Sequence, residues 1–418
     1  MRMKNLLACS VAASVLVAAP AANAADIILI DNGFTGTPAQ IAQFKAGFAI
    51  AAKYWGSILT NNATINLRVG TAALAPNVIG STGSTRADFT TANWENRVNL
   101  TKSASTIDQT AILPTLTNGG ASFITNGVKA SALAPNAQFP NPVVDDLTTL
   151  RYDDAQTVST KVLYLNSSLI KAIGGTAAGV NAASIDGTVT FSSNFGFDFD
   201  PTDGITANTF DFIGVAIHEI GHALGFVSGV DLLDVYGSGP GTSPNEDTLR
   251  YSLNDTSIYS ALDMFRYSAD PTNLVAGGAA RDLSAGTVSG AKYFSIDGGA
   301  TALFGNTFSQ GRYNGDGQQA SHWKDTAGCQ IGNGIMDPTF CFGQTGYITG
   351  LDLAAFDAMG WNLSTNALTY ANTSTADIYR ALAPVPEPTT WAMMIVGFGL
   401  MGGAMRRNRK VTTRVRFA

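Results

Sequence analysis

The sequence FIGVAIHEIGHALG at residues 212–225 decides the expected architecture. Its apolar residues recur at helical spacing, which predicts a helix over 212–226. His218 and His222 are four residues apart and therefore project from one face of this helix, where two imidazoles can bind one zinc ion. Glu219 lies beside these ligands, which is the position of a general base that takes a proton from water. The stretch predicts a zinc site that activates water.

Two histidines do not complete a catalytic zinc site, which usually has three protein ligands and one open position. The sequence offers His322, Glu246, and Asp231 or Asp234 as the third ligand. Glu246 would give a gluzincin-type site. It lies, however, in a stretch rich in Gly, Ser and Pro that is typical of a loop, where that class needs a helix.

Residues 218–226 and 320–338 together resemble the leishmanolysin-like metzincins, a family of zinc proteases. Gly225 stands where metzincins turn sharply, whereas Ser228 stands where most of them supply the third histidine. In the leishmanolysin-like members, an insertion separates that histidine from the helix, and a methionine turn follows it. The resemblance favours His322 as the third ligand.

Carried over residue by residue, the resemblance implies a role for each matching position. The expected zinc ligands are His218, His222 and His322, with Glu219 as the general base. Met336 would form the hydrophobic floor beneath the site. Some metzincins have a tyrosine shortly after this methionine that helps to stabilise the oxyanion, but Asp337-Pro338-Thr339 occupies that place here, and Tyr347 is only nearby.

The resemblance also implies the fold class, an α+β zincin-like domain with a twisted mixed sheet and a smaller C-terminal subdomain. This domain would span residues 25–365, with an insertion at 229–321, a methionine-turn region at 322–341 and a linker at 366–385. The apolar patterns predict strands at 26–30, 64–69, 160–165 and 188–192 and helices at 38–59 and 352–361. We expect the substrate to lie along an edge strand such as 188–192.

Both ends of the chain have the features of export signals. Residues 1–24 combine a basic start, an apolar run and the small-residue pattern Ala22-Asn23-Ala24, as in a secretory signal peptide. Residues 386–418 begin with Pro386-Glu387-Pro388, continue with an apolar run at 391–405 and end with an arginine cluster. This tail resembles the PEP-CTERM sorting signal of Gram-negative bacteria. The resemblance implies recognition by an exosortase, transient anchoring of 391–405 in the inner membrane and delivery to the cell surface or medium.

The charge and cysteine content agree with an exported protein. The chain has 25 basic and 31 acidic residues, but eight of the basic residues lie in the two signals. Residues 25–385 therefore have 17 basic against 30 acidic residues, a net charge of −13, which disfavours nucleic acid as a partner. Without Cys9, the remaining pair is Cys329 and Cys341, which predicts a disulfide in an oxidising compartment, the alternative being two free buried thiols.

The expected function is hydrolysis of peptide bonds in protein or peptide substrates by an exported zinc endopeptidase. The alternatives are a gluzincin-type protease with Glu246 as ligand and a catalytically silent, zinc-stabilised surface or matrix protein. A calcium site at Asp198, Asp200 and Asp203 is a further possibility, although their spacing does not match an EF-hand and a solvated turn is favoured.

Overall fold

The computed structural model describes residues 24–132, 134–154, 157–237, 251–269, 279–326, 328–329, 331–383 and 393–401. The predicted signal peptide up to residue 23, the candidate ligand Glu246 and most of the sorting tail lie outside these ranges. The described chain is a mixed α+β structure with several small sheets. Its helices are α1 Pro38–Ile58, α2 Thr91–Thr101, α3 Thr106–Thr110, α4 Val158–Lys161, α5 Ser167–Ala172, α6 Phe212–Leu224, α7 Val230–Tyr236, α8 Gly350–Met359 and α9 Thr375–Leu382.

The strands are mostly short. They are β1 Asp26–Asp31, β2 Thr64–Ala72, β3 Gly80–Ser84, β4 Arg86–Thr90, β5 Leu116–Thr117, β6 Gly120–Ala121, β7 Phe123–Ala130, β8 Val143–Asp153, β9 Val162–Asn166, β10 Ile185–Ser192, β11 Phe197–Asp198, β12 Phe210–Asp211, β13 Arg266–Ala269, β14 Ala279–Arg281, β15 Tyr293–Phe294, β16 Tyr347–Ile348 and β17 Thr373–Ser374. The structure confirms the predicted strands at 26–30 and 64–69 and the helices at 38–59 and 352–361. Of the predicted strand 160–165, residues 160 and 161 end α4.

The largest sheet has the strand order β1-β2-β10-β3. Strands β1, β2 and β10 are parallel, and β3 pairs with β10 in the antiparallel sense. The expectation that 188–192 is an edge strand is therefore wrong, because β10 is covered by β3. The true edge strand is β3, with the sequence GSTGS, which lacks the apolar alternation that marks a strand. Ser81 and Gly83 are exposed and need no apolar side chain. The other three residues face α6, where only small side chains fit.

Helix α1 packs against α6. Thr37 and Gln40 form a capping box at the start of α1, which satisfies two of its free backbone N–H groups. Gly47 lets the two helices approach closely, since a Cβ atom there would lie 2.3 Å from Cδ1 of Phe212. The indole N–H of Trp55 donates to the carbonyl of Ile217 at 3.0 Å. These contacts fix α6 against the apolar interior.

The sequence predicts a linker over 366–385, and this is wrong for residues 366–383, which contain β17 and α9. Strand β17 pairs with β16, and α9 follows it with Ile378 buried. The hydroxyl of Thr375 donates to the buried carboxylate of Asp211 at 2.5 Å. The Ser- and Thr-rich composition misled the prediction because these hydroxyls cap helices here: Ser374 caps α9.

The tail is described only at residues 393–401, which are helical. Among the described residues, no helix has the length and hydropathy to span a bilayer.

Candidate metal centre

Helix α6 carries the motif through the interior of the protein, and all of its residues are buried. The carboxylate of Asp211 caps its first turn by accepting from the N–H of Gly214 at 3.0 Å. Gly225 ends the helix at φ +126°, a conformation that favours glycine because it has no Cβ. The sharp turn at Gly225 that the sequence predicts is therefore present.

The turn at Gly225 orients His222. It places the carbonyl of Phe226 2.6 Å from Nδ1 of His222. Nδ1 of His218 lies 2.7 Å from the carbonyl of Ile335, on the segment that precedes Met336. Both rings are thus held by backbone oxygens on the side away from their Nε2 atoms.

His322 completes a three-histidine cluster, a hundred residues after His222. Its Nε2 lies 3.1 Å from Nε2 of His222 and 3.3 Å from Nε2 of His218. The Nε2 atoms of His218 and His222 are 3.1 Å apart. Its Nδ1 lies 3.3 Å from the carbonyl of Gln319. Among the described residues, these are the His, Cys, Asp or Glu side chains close enough to share a metal ion, all within 4.8 Å of one another.

The hydrogen bonds determine which nitrogen of each ring is free. A carbonyl oxygen can only accept, so each Nδ1 carries the hydrogen and each Nε2 presents a lone pair. Burial lowers the pKa of His218 to about 4 and that of His222 to about 3, and it lowers the pKa of His322 well below the ordinary value. Three neutral imidazoles therefore direct lone pairs at one point.

This donor set fits zinc. Nitrogens bound to a tetrahedral zinc at about 2.0–2.1 Å lie roughly 3.3 Å from one another. The three Nε2 separations of 3.1, 3.1 and 3.3 Å are close to that spacing. Without a cation, three converging lone pairs would repel one another.

Glu219 lies beside the cluster and is held by the edge strand β3. Its Oε2 accepts from the hydroxyl of Thr82 at 2.7 Å. Gly80 leaves the space for its side chain, since a Cβ there would lie 2.6 Å from Oε1 of Glu219. Burial raises the pKa of this carboxyl to about 7, and the hydrogen bond from Thr82 opposes that shift.

Met336, which the resemblance places beneath the site, packs against α6. Its side chain is fully buried, and its Sδ lies 2.7 Å from where a Cβ on Gly221 would be. The predicted disulfide between Cys329 and Cys341 is present and flanks this methionine in sequence. The methionine and the helix therefore pack at a position where only glycine fits.

A buried carboxylate on α8 ties this segment together. Asp352 accepts from the backbone N–H of Ile335 at 2.9 Å, from that of Met336 at 3.2 Å and from the indole N–H of Trp323 at 2.9 Å. Trp323 follows His322 directly, and Ile335 supplies the carbonyl that holds His218. Asp352 is thus a positioning residue for two of the three histidines.

The other candidate ligands have structural partners instead. Asp231 accepts from the N–H of Ala320 at 2.6 Å and from Ser321, and Asp234 accepts from the N–H groups of Tyr313 and Asn314. The hydroxyl of Ser228 donates to Asp263 at 2.5 Å. Because Asp231 and Asp234 support the segment before His322, they act on the cluster indirectly.

Two further candidates are also away from the cluster. Tyr347 lies in β16 and is not among the residues that line the cleft described below. Asp198 and Asp200 accept hydrogen bonds from nearby backbone N–H groups, as in polar turns.

The cluster opens onto a cleft of about 860 Å³. Residues 76–82 of β3 and the preceding loop line this cleft, and so do Gln318, Gln319 and residues 337–340. His218, Glu219, His222 and His322 all line this cleft, so the lone pairs and the carboxylate face a space that a ligand can enter.

Sequence reasoning missed Gly80, Thr82 and Asp352. The first two lie in a segment with weak periodicity, and their relation to Glu219 exists only through pairing of β3 across the chain. Asp352 did carry a local signal, because Thr349 and Asp352 have the spacing of a capping box, and the structure contains that box.

Residues 384–410 match a family model described as the PEP-CTERM protein-sorting motif. This motif implies recognition by an exosortase and export to the cell envelope. No curated protein and no solved structure matches the chain. The resemblance of residues 218–226 and 320–338 to metzincins has no counterpart in these comparisons and stays a prediction.

Proposed function

We propose that this protein is an exported zinc endopeptidase of the leishmanolysin-like metzincin type. The observation that carries the proposal is the convergence of three Nε2 lone pairs, with the Glu219 carboxylate beside them, in residues that line an open cleft. His218, His222 and His322 would hold the zinc. Three protein ligands leave one coordination position open, as in catalytic sites, whereas structural zinc sites usually have four.

The residues of the chain then have distinct chemical tasks. When bound, zinc acts as a Lewis acid that polarises the scissile carbonyl and lowers the pKa of water. Glu219 takes the proton from the attacking water and delivers it to the leaving amine. Thr82 orients the carboxylate of Glu219 through its hydroxyl.

The substrate would lie along the wall formed by residues 76–82, not along β10. Strand β3 has a partner on one side only among the described strands, so its other edge has backbone groups for an extended peptide. An extended peptide placed there lies above Glu219, because Gly80 and Thr82 contact that side chain.

The direct test is zymography of the exported protein on casein. We expect a cleared band that disappears when a chelator removes the metal and returns when zinc is added back. Metal content is measured on the same samples. Stoichiometric zinc without any cleavage would contradict the endopeptidase and favour the silent, zinc-stabilised surface protein. The sorting tail is compatible with either function.

Adding one methyl group at Gly80 is expected to reduce activity without removing zinc. The Cβ of Gly80→Ala would lie 2.6 Å from Oε1 and 2.9 Å from Cγ of Glu219, so that side chain must move. A displacement of about 1 Å at a reacting group can cost about 10²-fold in rate. Casein cleavage and bound zinc are the two measurements.

Gly83→Ala is the matched control. It adds the same group to the same strand, where the Cβ would meet nothing within 4 Å and where the residue does not line the cleft. We expect it to keep both zinc and activity. Equal activity of the two variants would show that the contact between Gly80 and Glu219 does not matter for the reaction.

A further inference from the structure

The positively charged side chain of Arg86 lines the cleft near the histidine cluster. Arg86 is the first residue of β4 and lies across the ladder from Asn166, whose amide donates to the carbonyl of His222 at 2.9 Å. Its side chain faces the same cleft as His222 and Ser228. Burial lowers the pKa of Arg86 from its ordinary value, yet a guanidinium keeps its charge in proteins. Arg86 therefore brings a fixed positive charge to the cleft.

The guanidinium of Arg86 has donors to spare. It stacks on the ring of Tyr164, whose centroid lies 4.9 Å from Cζ. Within the described part of the chain, it has neither a hydrogen bond nor an ion pair, although it carries five N–H donors. Stacking on a ring covers one face of the guanidinium and leaves the edge with its donors free.

Two carboxylates that attract Arg86, those of Asp231 and Asp263, already accept hydrogen bonds from other groups. The carboxylate of Asp231 is occupied by Ala320 and Ser321, as described above. Asp263 accepts from the backbone N–H groups of Gly229 and Ser260, each at 2.8 Å, and from the hydroxyl of Ser228. The protein itself thus leaves the donors of Arg86 available to a ligand.

We propose that Arg86 is a specificity-determining residue that binds a carboxylate of the peptide substrate. This inference rests on the proposed function, because it places a peptide in the same cleft. A guanidinium presents paired donors that match the two oxygens of a carboxylate, and such charge-assisted pairs are about twice as strong as neutral ones. The carboxylate can belong to an aspartate or glutamate side chain or to the C-terminus of the peptide, and the test separates these sources.

The test measures binding, so that it does not depend on cleavage. The full-length, zinc-loaded Glu219→Gln protein is titrated with labelled octapeptides by fluorescence anisotropy. One set carries a single glutamate at successive positions with an amidated C-terminus. A second set carries glutamine instead, and a third carries glutamine with a free C-terminal carboxylate. We expect glutamate at one position, or the free terminus, to tighten binding about tenfold over the amidated glutamine peptide.

Two variants assign the preference to Arg86. Arg86→Gln is expected to abolish the tenfold difference, and Arg86→Lys to reduce it, because lysine keeps the charge but lacks the paired donors. Arg312→Gln is the control: Arg312 also lines the cleft but is exposed, and the removal of its charge should leave the preference intact. Zinc content and thermal unfolding show whether each variant is folded. If Arg86→Gln does not fold, Arg86→Lys still tests the inference.

The outcomes separate this inference from the proposed function. Equal binding of the three peptide sets, or a preference that survives in Arg86→Gln, overturns the role of Arg86. Wild-type protein is then incubated with the same peptides and the products are identified by mass spectrometry. A preference that depends on Arg86 without any cleavage would refute the peptidase and retain the carboxylate site. Cleavage without a preference for carboxylate-bearing peptides would support the peptidase and refute the carboxylate site at Arg86.

Discussion

Replacement of His322 by alanine is expected to abolish zinc binding and, with it, casein cleavage. The cluster would retain only His218 and His222, whose Nε2 atoms are 3.1 Å apart, and two imidazoles rarely hold zinc in a catalytic site. Loss of a hydrogen-bond partner of a ligand typically costs 10–100-fold in metal affinity, and loss of the ligand itself should cost more than about 10²-fold. Zinc per protein chain after dialysis, measured by metal analysis, checks this result.

Glu246→Ala is the matched comparison for this experiment. It removes the one alternative ligand that lies outside the described residues, and we expect the variant to keep zinc and activity. Zinc that stays with His322→Ala but leaves with Glu246→Ala would replace the three-histidine site with the gluzincin-type site. A thermal unfolding curve of each zinc-free variant separates the loss of a ligand from the loss of the fold.

The sequence predicted the helix that carries half of the candidate site, because the relevant information is local. His218, Glu219 and His222 are fixed relative to one another by the helical repeat, and Gly225 marks the end of the helix. The proposed third ligand is a different case. His322 is brought to His222 by contacts such as the hydrogen bond from the N–H of Trp323 to the carbonyl of Met336. No spacing rule encodes such contacts, and only the resemblance to a known family pointed to His322.

The errors have a common physical origin. Strand β3 and the segment that leads into α9 are rich in small and hydroxylated residues that are usual in loops, and tertiary contacts override that preference. In β3 the small residues are needed because α6 packs directly over them, with Thr82 and Gly80 against Glu219. The edge strand was predicted wrongly because pairing partners are set by the whole sheet and not by the sequence of one strand.

The interior of the domain shows why the site depends on distant segments. The carbonyl that holds His218 belongs to Ile335, and the N–H of Ile335 donates to Asp352. The same carboxylate receives the indole N–H of Trp323, the residue after His322. A single buried side chain on α8 therefore couples the positions of two proposed ligands.

Replacement of Glu219 by glutamine is expected to remove catalysis and leave the metal in place. Glutamine has nearly the same shape and its amide oxygen can still accept from Thr82, so the side chain should stay where it is. It cannot take a proton, and loss of a general base costs about 10²–10⁴-fold in rate. Because Glu219 is not one of the three clustered residues, zinc per chain should be unchanged. Casein cleavage and metal content on the same preparation test both halves of the prediction.

Glu219→Ala and Thr82→Val distinguish chemistry from positioning. The alanine variant should lose activity to the same extent, since it lacks the same proton acceptor. Thr82→Val keeps the carboxylate and removes the hydroxyl that donates to it at 2.7 Å, so a smaller loss is expected. Undiminished cleavage by the glutamine and alanine variants would refute the general-base mechanism. Loss of zinc from either variant would instead show that Glu219 is a ligand, because a residue that acts only on the proton has no reason to change the metal content.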